Sequence, residues 1–291
     1  MVIAACAAAV GCLALLPVIP AQGAARPPWA APVPVSRYAL SRHPSSRHPS
    51  RPAERPSLLT GSIAGCEQKL TRARRRDGQQ VPALAIVGAS VTAGVGPGNP
   101  SKSWAFLLAR RLGWDAVIYG DPGAGYVRPG VGRKGPVADE IARADLRALA
   151  PALVIVQAGH DDIGVPVRLE QRRVTQAIAL IRAEAPRARI ALLTVFPGRS
   201  HRAEADQTDR AIVTAAEAAD RQVIIMDPLV AGWTFAHVRG GLHPTAAGSA
   251  WIAAKVAGIL REHGVLPVPA KTRPAGLTIC DFGIRAPASP R

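Results

Sequence analysis

The sequence predicts a three-layer α/β/α sandwich built on a five-stranded parallel sheet, and three observations carry that prediction. From Ala83 onward, short apolar runs rich in β-branched residues alternate with longer amphipathic stretches. The connections between them are short, as right-handed crossovers in a sheet covered on both faces require. Glycine-rich or polar segments follow most of the apolar runs, where such a sheet presents the C-terminal ends of its strands.

The elements read in order. Residues 83–87 form the first strand, a continuous apolar run of the kind buried on both faces. Further strands are expected over 116–119, 153–157, 190–195 and 222–226, with helices at about 102–112, 137–149, 170–185 and 205–219 between them. A last helix is expected from about 246 to 263, with Thr245 placed to cap it.

The regions flanking this core differ in composition. The first 25 residues carry no charge, and 2–16 is almost wholly apolar before Pro17, Pro20 and a small-residue site at Ala21-Gln22-Gly23. Residues 1–23 therefore read as a signal peptide, its apolar run shorter than the roughly 20 residues a spanning helix needs. Val10-Gly11-Cys12 faintly resembles a lipidation site, but the apolar run continues past it, so export is favoured. Residues 24–60 are Pro-, Arg- and Ser-rich, and Ser41-Arg42-His43-Pro44-Ser45 is repeated as Ser46-Arg47-His48-Pro49-Ser50. This composition reads as a disordered linker. Residues 61–82 form a flanking segment, 83–264 the domain, and 265–291 a tail.

The formal net charge is +16, yet only 4% of the residues are aromatic and none interleaves with the basic clusters. A stacking platform for nucleic acid is therefore not expected; the charge suits a solvated surface or anionic cell-envelope polymers. The expected location is secreted, extracellular or cell-envelope, and the expected state a monomer. Cys6 and Cys12 fall in the signal segment, leaving Cys66 and Cys280. In an exported chain these pair as a disulfide tying back the tail, worth up to about 5 kcal/mol in the chain-entropy model. The other reading is two unpaired buried thiols.

The strand ends carry the chemistry. After the first strand comes Gly88-Ala89-Ser90, where Ser90 stands either as a nucleophile or as a turn residue. After the second comes Gly120-Asp121-Pro122-Gly123-Ala124-Gly125-Tyr126, and after the third Gly159-His160-Asp161-Asp162. Asp227 follows the fifth, and Gly240-Gly241-Leu242-His243 precedes the last helix.

These blocks, in this order over residues 80 to 263, resemble the SGNH (GDSL-type) hydrolases. The resemblance implies a flavodoxin-like sheet and ester hydrolysis through an acyl-enzyme on Ser90, with His243 as general base. It places the backbone N–H groups of Ser90 and of Gly123 or Gly125 in the oxyanion hole; the residues themselves show no metal-ligand spacing and no dinucleotide fingerprint, so no cofactor or metal is expected. The substrate class implied is a carbohydrate, lipid or small acyl ester.

Two positions depart from the family pattern. Asp161 stands where an Asn donates to the oxyanion, and an ionised carboxylate cannot donate. Gly240 stands where an Asp would orient the histidine. Asp162 matches the Asp that braces its loop. Asp227 could orient His243 or simply form a turn. His237, near His243, could substitute for it as base; His160 could be a second base but fits a pocket-wall residue better; Thr92 and Thr194 read as packing or capping residues. Two functions follow: a secreted serine esterase, or a catalytically weakened relative that binds a glycan or envelope component.

Overall fold

The computed structural model describes residues 82–132, 135–198, 202–269 and 277–282. The expected signal peptide, the expected linker and Cys66 lie outside the described residues.

Strands β1 (Ala83–Gly88), β2 (Asp115–Gly120), β3 (Leu153–Gln157), β4 (Arg189–Leu193), β5 (Ile224–Met226) and β6 (Ile279–Asp281) form one sheet in the order β5-β4-β3-β1-β2-β6. Every pairing is parallel. The chain leaves β1 toward β2 and then crosses back to β3, so the winding direction reverses between β1 and β3. In open α/β sheets that reversal opens a crevice at the strand ends.

The helices are α1 (Trp104–Leu112), α2 (Val137–Arg143), α3 (Leu146–Leu149), α4 (Val167–Glu184), α5 (Arg202–Ala219) and α6 (Ala246–Glu262). Alternate side chains of the strands feed two cores. Leu84, Ile86, Ile118 and Ile155 pack with Trp104 and Leu108 of α1 and Ile252 and Val256 of α6. Ala85, Val87, Val117 and Val156 pack with residues of α2, α4 and α5 on the other face. The three layers predicted from the alternation are present.

The strand count is six rather than five. The sixth strand lies in the segment read as a tail, a three-residue run too short to register as periodicity. Its place is decided by the free edge of β2: Thr278 N–H donates to the Asp115 carboxylate (2.9 Å), Ala116 N–H donates to the Thr278 carbonyl (3.1 Å), and Phe282 stacks on Tyr119 at 5.2 Å. Cys280 is buried at the middle of this strand.

The helix expected over 137–149 is two helices. Asp145 adopts a left-handed conformation (φ 39°), and its side chain accepts from Ala148 N–H (3.2 Å) to cap α3. An Asp can stop one helix and start the next, since it tolerates that conformation and competes for backbone donors. Thr245 caps α6, its hydroxyl accepting from Gly248 N–H at 3.1 Å.

Candidate active site

Ser90 lies two residues beyond β1, on a tight turn. Ala93 N–H returns to the Ala89 carbonyl (2.9 Å) and Val95 N–H to the Ser90 carbonyl (3.0 Å). The turn places Ser90 at the C-terminal edge of the sheet, where the residue is 8% exposed.

His243 reaches the same point from the other end of the chain. Its loop is a small antiparallel turn: His237 and Pro244 form a β-bridge, Val238 N–H donates to the His243 carbonyl (2.9 Å), and Thr245 N–H donates to the Ala236 carbonyl (2.9 Å). The result is a Ser90 Oγ to His243 Nε2 distance of 2.9 Å. For Nε2 to accept the hydroxyl proton, the neutral ring carries its own proton on Nδ1. Burial lowers the His243 pKa from its ordinary value, so the ring is neutral, and able to accept a proton, at neutral pH.

Gly96 joins the two loops, and the sequence reading did not single it out. It has φ +110°, and a Cβ there would run into the Pro244 carbonyl and press on the His243 Cβ at 3.1 Å. Only a glycine lets the segment after Ser90 lie this close to the histidine loop.

The loop after β2 separates the two glycines that the sequence left equivalent. Gly125 N–H donates to the Arg128 carbonyl (2.9 Å) and is occupied. The N–H groups of Ser90 and Gly123 make no hydrogen bond among the described residues. Asp162 holds this loop in shape: its carboxylate accepts from the N–H groups of Tyr126 (2.6 Å), Arg128 (3.0 Å) and Val127 (3.2 Å).

Asp161 is half-buried, and its pKa is pushed up to about 6, chiefly by burial and then by the Asp162 charge, with Arg128 opposing. His160 sits beside His243. Its Nδ1 lies 3.3 Å from the Phe196 carbonyl, so Nδ1 carries the proton, and burial lowers its pKa.

Asp227 makes no hydrogen bond to His243. It accepts from Val230 N–H (2.9 Å), the turn-forming arrangement, and faces Asp209, whose pKa burial and this neighbour raise to about 6. Among the described residues no carboxylate hydrogen-bonds to His243. His237 lies tilted against the Phe235 ring, with centroids 4.3 Å apart, within the bridge that shapes the loop. A groove of about 800 Å³ between β5 and α6, lined by residues including Trp233, Trp251 and Lys255, contains neither Ser90 nor His243. No group of three His, Cys, Asp or Glu side chains gathers as a metal site among the described residues.

Behind Asp162 lies Glu170 of α4, 1% exposed, with its carboxyl group against the Asp162 carboxylate. Burial and the Asp162 charge push its pKa up to about 9 from the ordinary 4.5. The folded protein keeps this proton while the unfolded chain loses it. The group's contribution is therefore intact below about pH 4.5 and lost as pH rises through about 9. Glu170→Gln, which cannot ionise, is expected to leave stability unchanged at pH 4.5 and to raise it by about 1–3 kcal/mol at pH 9. Urea unfolding at the two pH values measures this.

A hydroxyl paired with an imidazole on the C-terminal edge of a doubly wound parallel sheet is the arrangement of the SGNH-type α/β esterases. The chain belongs to the GDSL-like lipase/acylhydrolase family, whose profile matches residues 86–251, over half its length. At the level of reaction class it is an ester hydrolase. No curated protein sequence matches it.

Similar solved structures include a carbohydrate esterase family 2 enzyme plus carbohydrate-binding domain from Corynascus thermopiles (Myceliophthora fergusii). It is 21% identical, with a TM-score of 0.52 over 63% of this chain and 67% of that one. A family two carbohydrate esterase from Cellvibrio japonicus is 18% identical, with a TM-score of 0.51 over 62% and 61%. Another from Clostridium thermocellum, solved in complex with cellohexaose, is 16% identical, with a TM-score of 0.50 over 64% and 65%. The chain thus spans less than two thirds of the last two. At these identities the likeness is one of fold.

Proposed function

We propose that the protein is an exported serine esterase that hydrolyses a carboxylic ester, with carbohydrate esters the first class to test. The observation that carries the proposal is the 2.9 Å contact between Ser90 Oγ and His243 Nε2. His243 takes the hydroxyl proton as Ser90 Oγ attacks the ester carbonyl carbon. The N–H groups of Ser90 and Gly123 donate to the oxyanion. The C–O bond to the alcohol then breaks, and His243 returns its proton to the departing oxygen. Water, deprotonated by the same imidazole, cleaves the acyl-enzyme to release the acid and restore Ser90.

The carbohydrate class is supported by the fold shared with the esterases above. The test is a panel of p-nitrophenyl acyl esters and acetylated sugars, with a fluorophosphonate probe to identify the nucleophile by mass spectrometry. Turnover with labelling at Ser90 supports the reading; labelling of another serine overturns it. A weakened relative that binds a glycan is favoured by Asp161 and Gly240, and the panel separates the two as turnover against binding alone.

Export predicts a Cys66–Cys280 cross-link. Unreduced secreted protein is expected to yield that cross-linked peptide on digestion, and two alkylatable thiols in native, oxidised protein would contradict it. The positive charge is proposed to favour an anionic cell-envelope surface. The free protein is proposed to be a monomer, which sedimentation can check.

A further inference from the structure

Gln157, the last residue of β3, touches the serine turn on both sides of the nucleophile. Its carbonyl accepts Ala89 N–H (3.1 Å), and its side-chain Oε1 accepts both the Thr92 N–H (3.2 Å) and the Thr92 hydroxyl (2.9 Å). Residues 89 and 92 are thus fastened to the same residue of the neighbouring strand, with Ser90 between them. The amide orientation is unambiguous, because the Thr92 N–H can only donate and so must face the oxygen. Gln157 and Thr92 are each 1% exposed, so neither bond competes with water.

The packing around this clamp is close. Gly88 stands opposite Gln157 in the sheet register, and a Cβ at Gly88 would lie 2.7 Å from Thr92 Oγ1 and 3.0 Å from Gln157 Cβ. A larger residue at 88 would push the two halves of the clamp apart.

The clamp has a chemical consequence. The serine turn presents both the Ser90 hydroxyl and the Ser90 N–H, and the hydroxyl must meet an imidazole delivered by a loop 153 residues away. No carboxylate steadies that imidazole among the described residues. More of the burden of alignment therefore falls on the serine side, and misplacement by about 1 Å can cost on the order of 10²-fold in rate.

We propose that Gln157 is a positioning residue for ester hydrolysis, its amide oxygen holding Thr92 so that Ser90 Oγ and the Ser90 N–H keep their reactive geometry. The inference rests on Ser90 being the nucleophile, as proposed above.

The experiment measures kcat and KM for p-nitrophenyl acetate, the rate of fluorophosphonate labelling at Ser90, and the melting temperature for wild type, Gln157→Leu, Thr92→Val and Thr92→Ser. Gln157→Leu is expected to lower kcat and the labelling rate together by about 30- to 100-fold, with KM changed by less than about threefold. Thr92→Val, which keeps the N–H contact and loses the hydroxyl, is expected to fall by about 3- to 10-fold. Thr92→Ser should restore the wild-type rate. A Gln157→Leu/Thr92→Val double variant should be no slower than Gln157→Leu alone, because both changes break one clamp.

A merely structural bond would lower the melting temperature and leave the labelling rate of the folded protein unchanged. Wild-type labelling at Ser90 with equally fast labelling of Gln157→Leu overturns the positioning role alone. If Gln157→Leu does not fold, Thr92→Val at wild-type rate overturns it instead. Failure of the wild type to label at Ser90 overturns the nucleophile assignment, and this proposal with it.

Discussion

Replacing Ser90 or His243 with alanine is expected to lower ester turnover by about 10⁴- to 10⁶-fold, with the double variant no worse than either single one. The two groups work as a unit: without the imidazole the hydroxyl proton has no acceptor, and without the hydroxyl the imidazole has nothing to activate. The loss should appear in kcat far more than in KM, since neither change removes ground-state contacts along the substrate. His237→Ala is the control. His237 belongs to the bridge that shapes the histidine loop, 4.3 Å from the Phe235 ring centroid. Its loss should reduce stability and leave kcat within about tenfold of wild type, far above the His243→Ala level. A collapse of kcat in His237→Ala with little change in His243→Ala would reverse the assignment of the base.

Asp161→Asn is expected to raise activity at pH 8 by about 10²-fold, and the sign follows from two opposed titrations. A neutral Asp161 can donate a hydrogen bond to the oxyanion, and an ionised one cannot. Its pKa of about 6 keeps it protonated only in mildly acidic solution. His243 must be neutral to act as a base, and burial lowers its pKa below the ordinary 6.5. The two requirements are met together only in mildly acidic solution, and the wild-type profile is expected to be a bell whose alkaline limb falls through about pH 6. Two pH units above the Asp161 pKa, only about one molecule in a hundred retains the proton, which matches the typical cost of one lost oxyanion donor. Asparagine donates at every pH, so Asp161→Asn should remove the alkaline limb and leave the acidic one. Rates for one ester from pH 5 to 9 decide the matter; an alkaline limb unchanged in Asp161→Asn would exclude Asp161 as the donor. Gly240→Asp, the other departure from the family pattern, is expected to help less. Gly240 has φ +112°, which an aspartate would adopt only with strain.

Much of the architecture was legible locally. The apolar runs at 83–87 and 153–157 announce strands buried on both faces, because only a parallel sheet covered by helices makes such runs continuous. The order of Ser90, the glycine loop, the Asp161-Asp162 block and His243 announces one reacting edge, because strand ends in a parallel sheet all point the same way. These features depend on residues near one another in the chain, and a single sequence carries them.

What only the tertiary structure decided are contacts between distant segments. Gly123 and Gly125 are equivalent as letters; the Arg128 carbonyl occupies one N–H and leaves the other. Asp227 reads either as a turn former or as a group that could orient His243; its carboxylate accepts Val230 N–H and faces Asp209, which is the turn. Gln157 reads as the last residue of a strand and nothing more, since its hydrogen bonds to Thr92 span 65 residues. The sixth strand reads as part of a tail until the open edge of β2 accepts it. In each case hydrogen-bond satisfaction across the fold chose among options that local propensity leaves equal, and that choice is made only when distant backbone groups are brought within about 3 Å of each other.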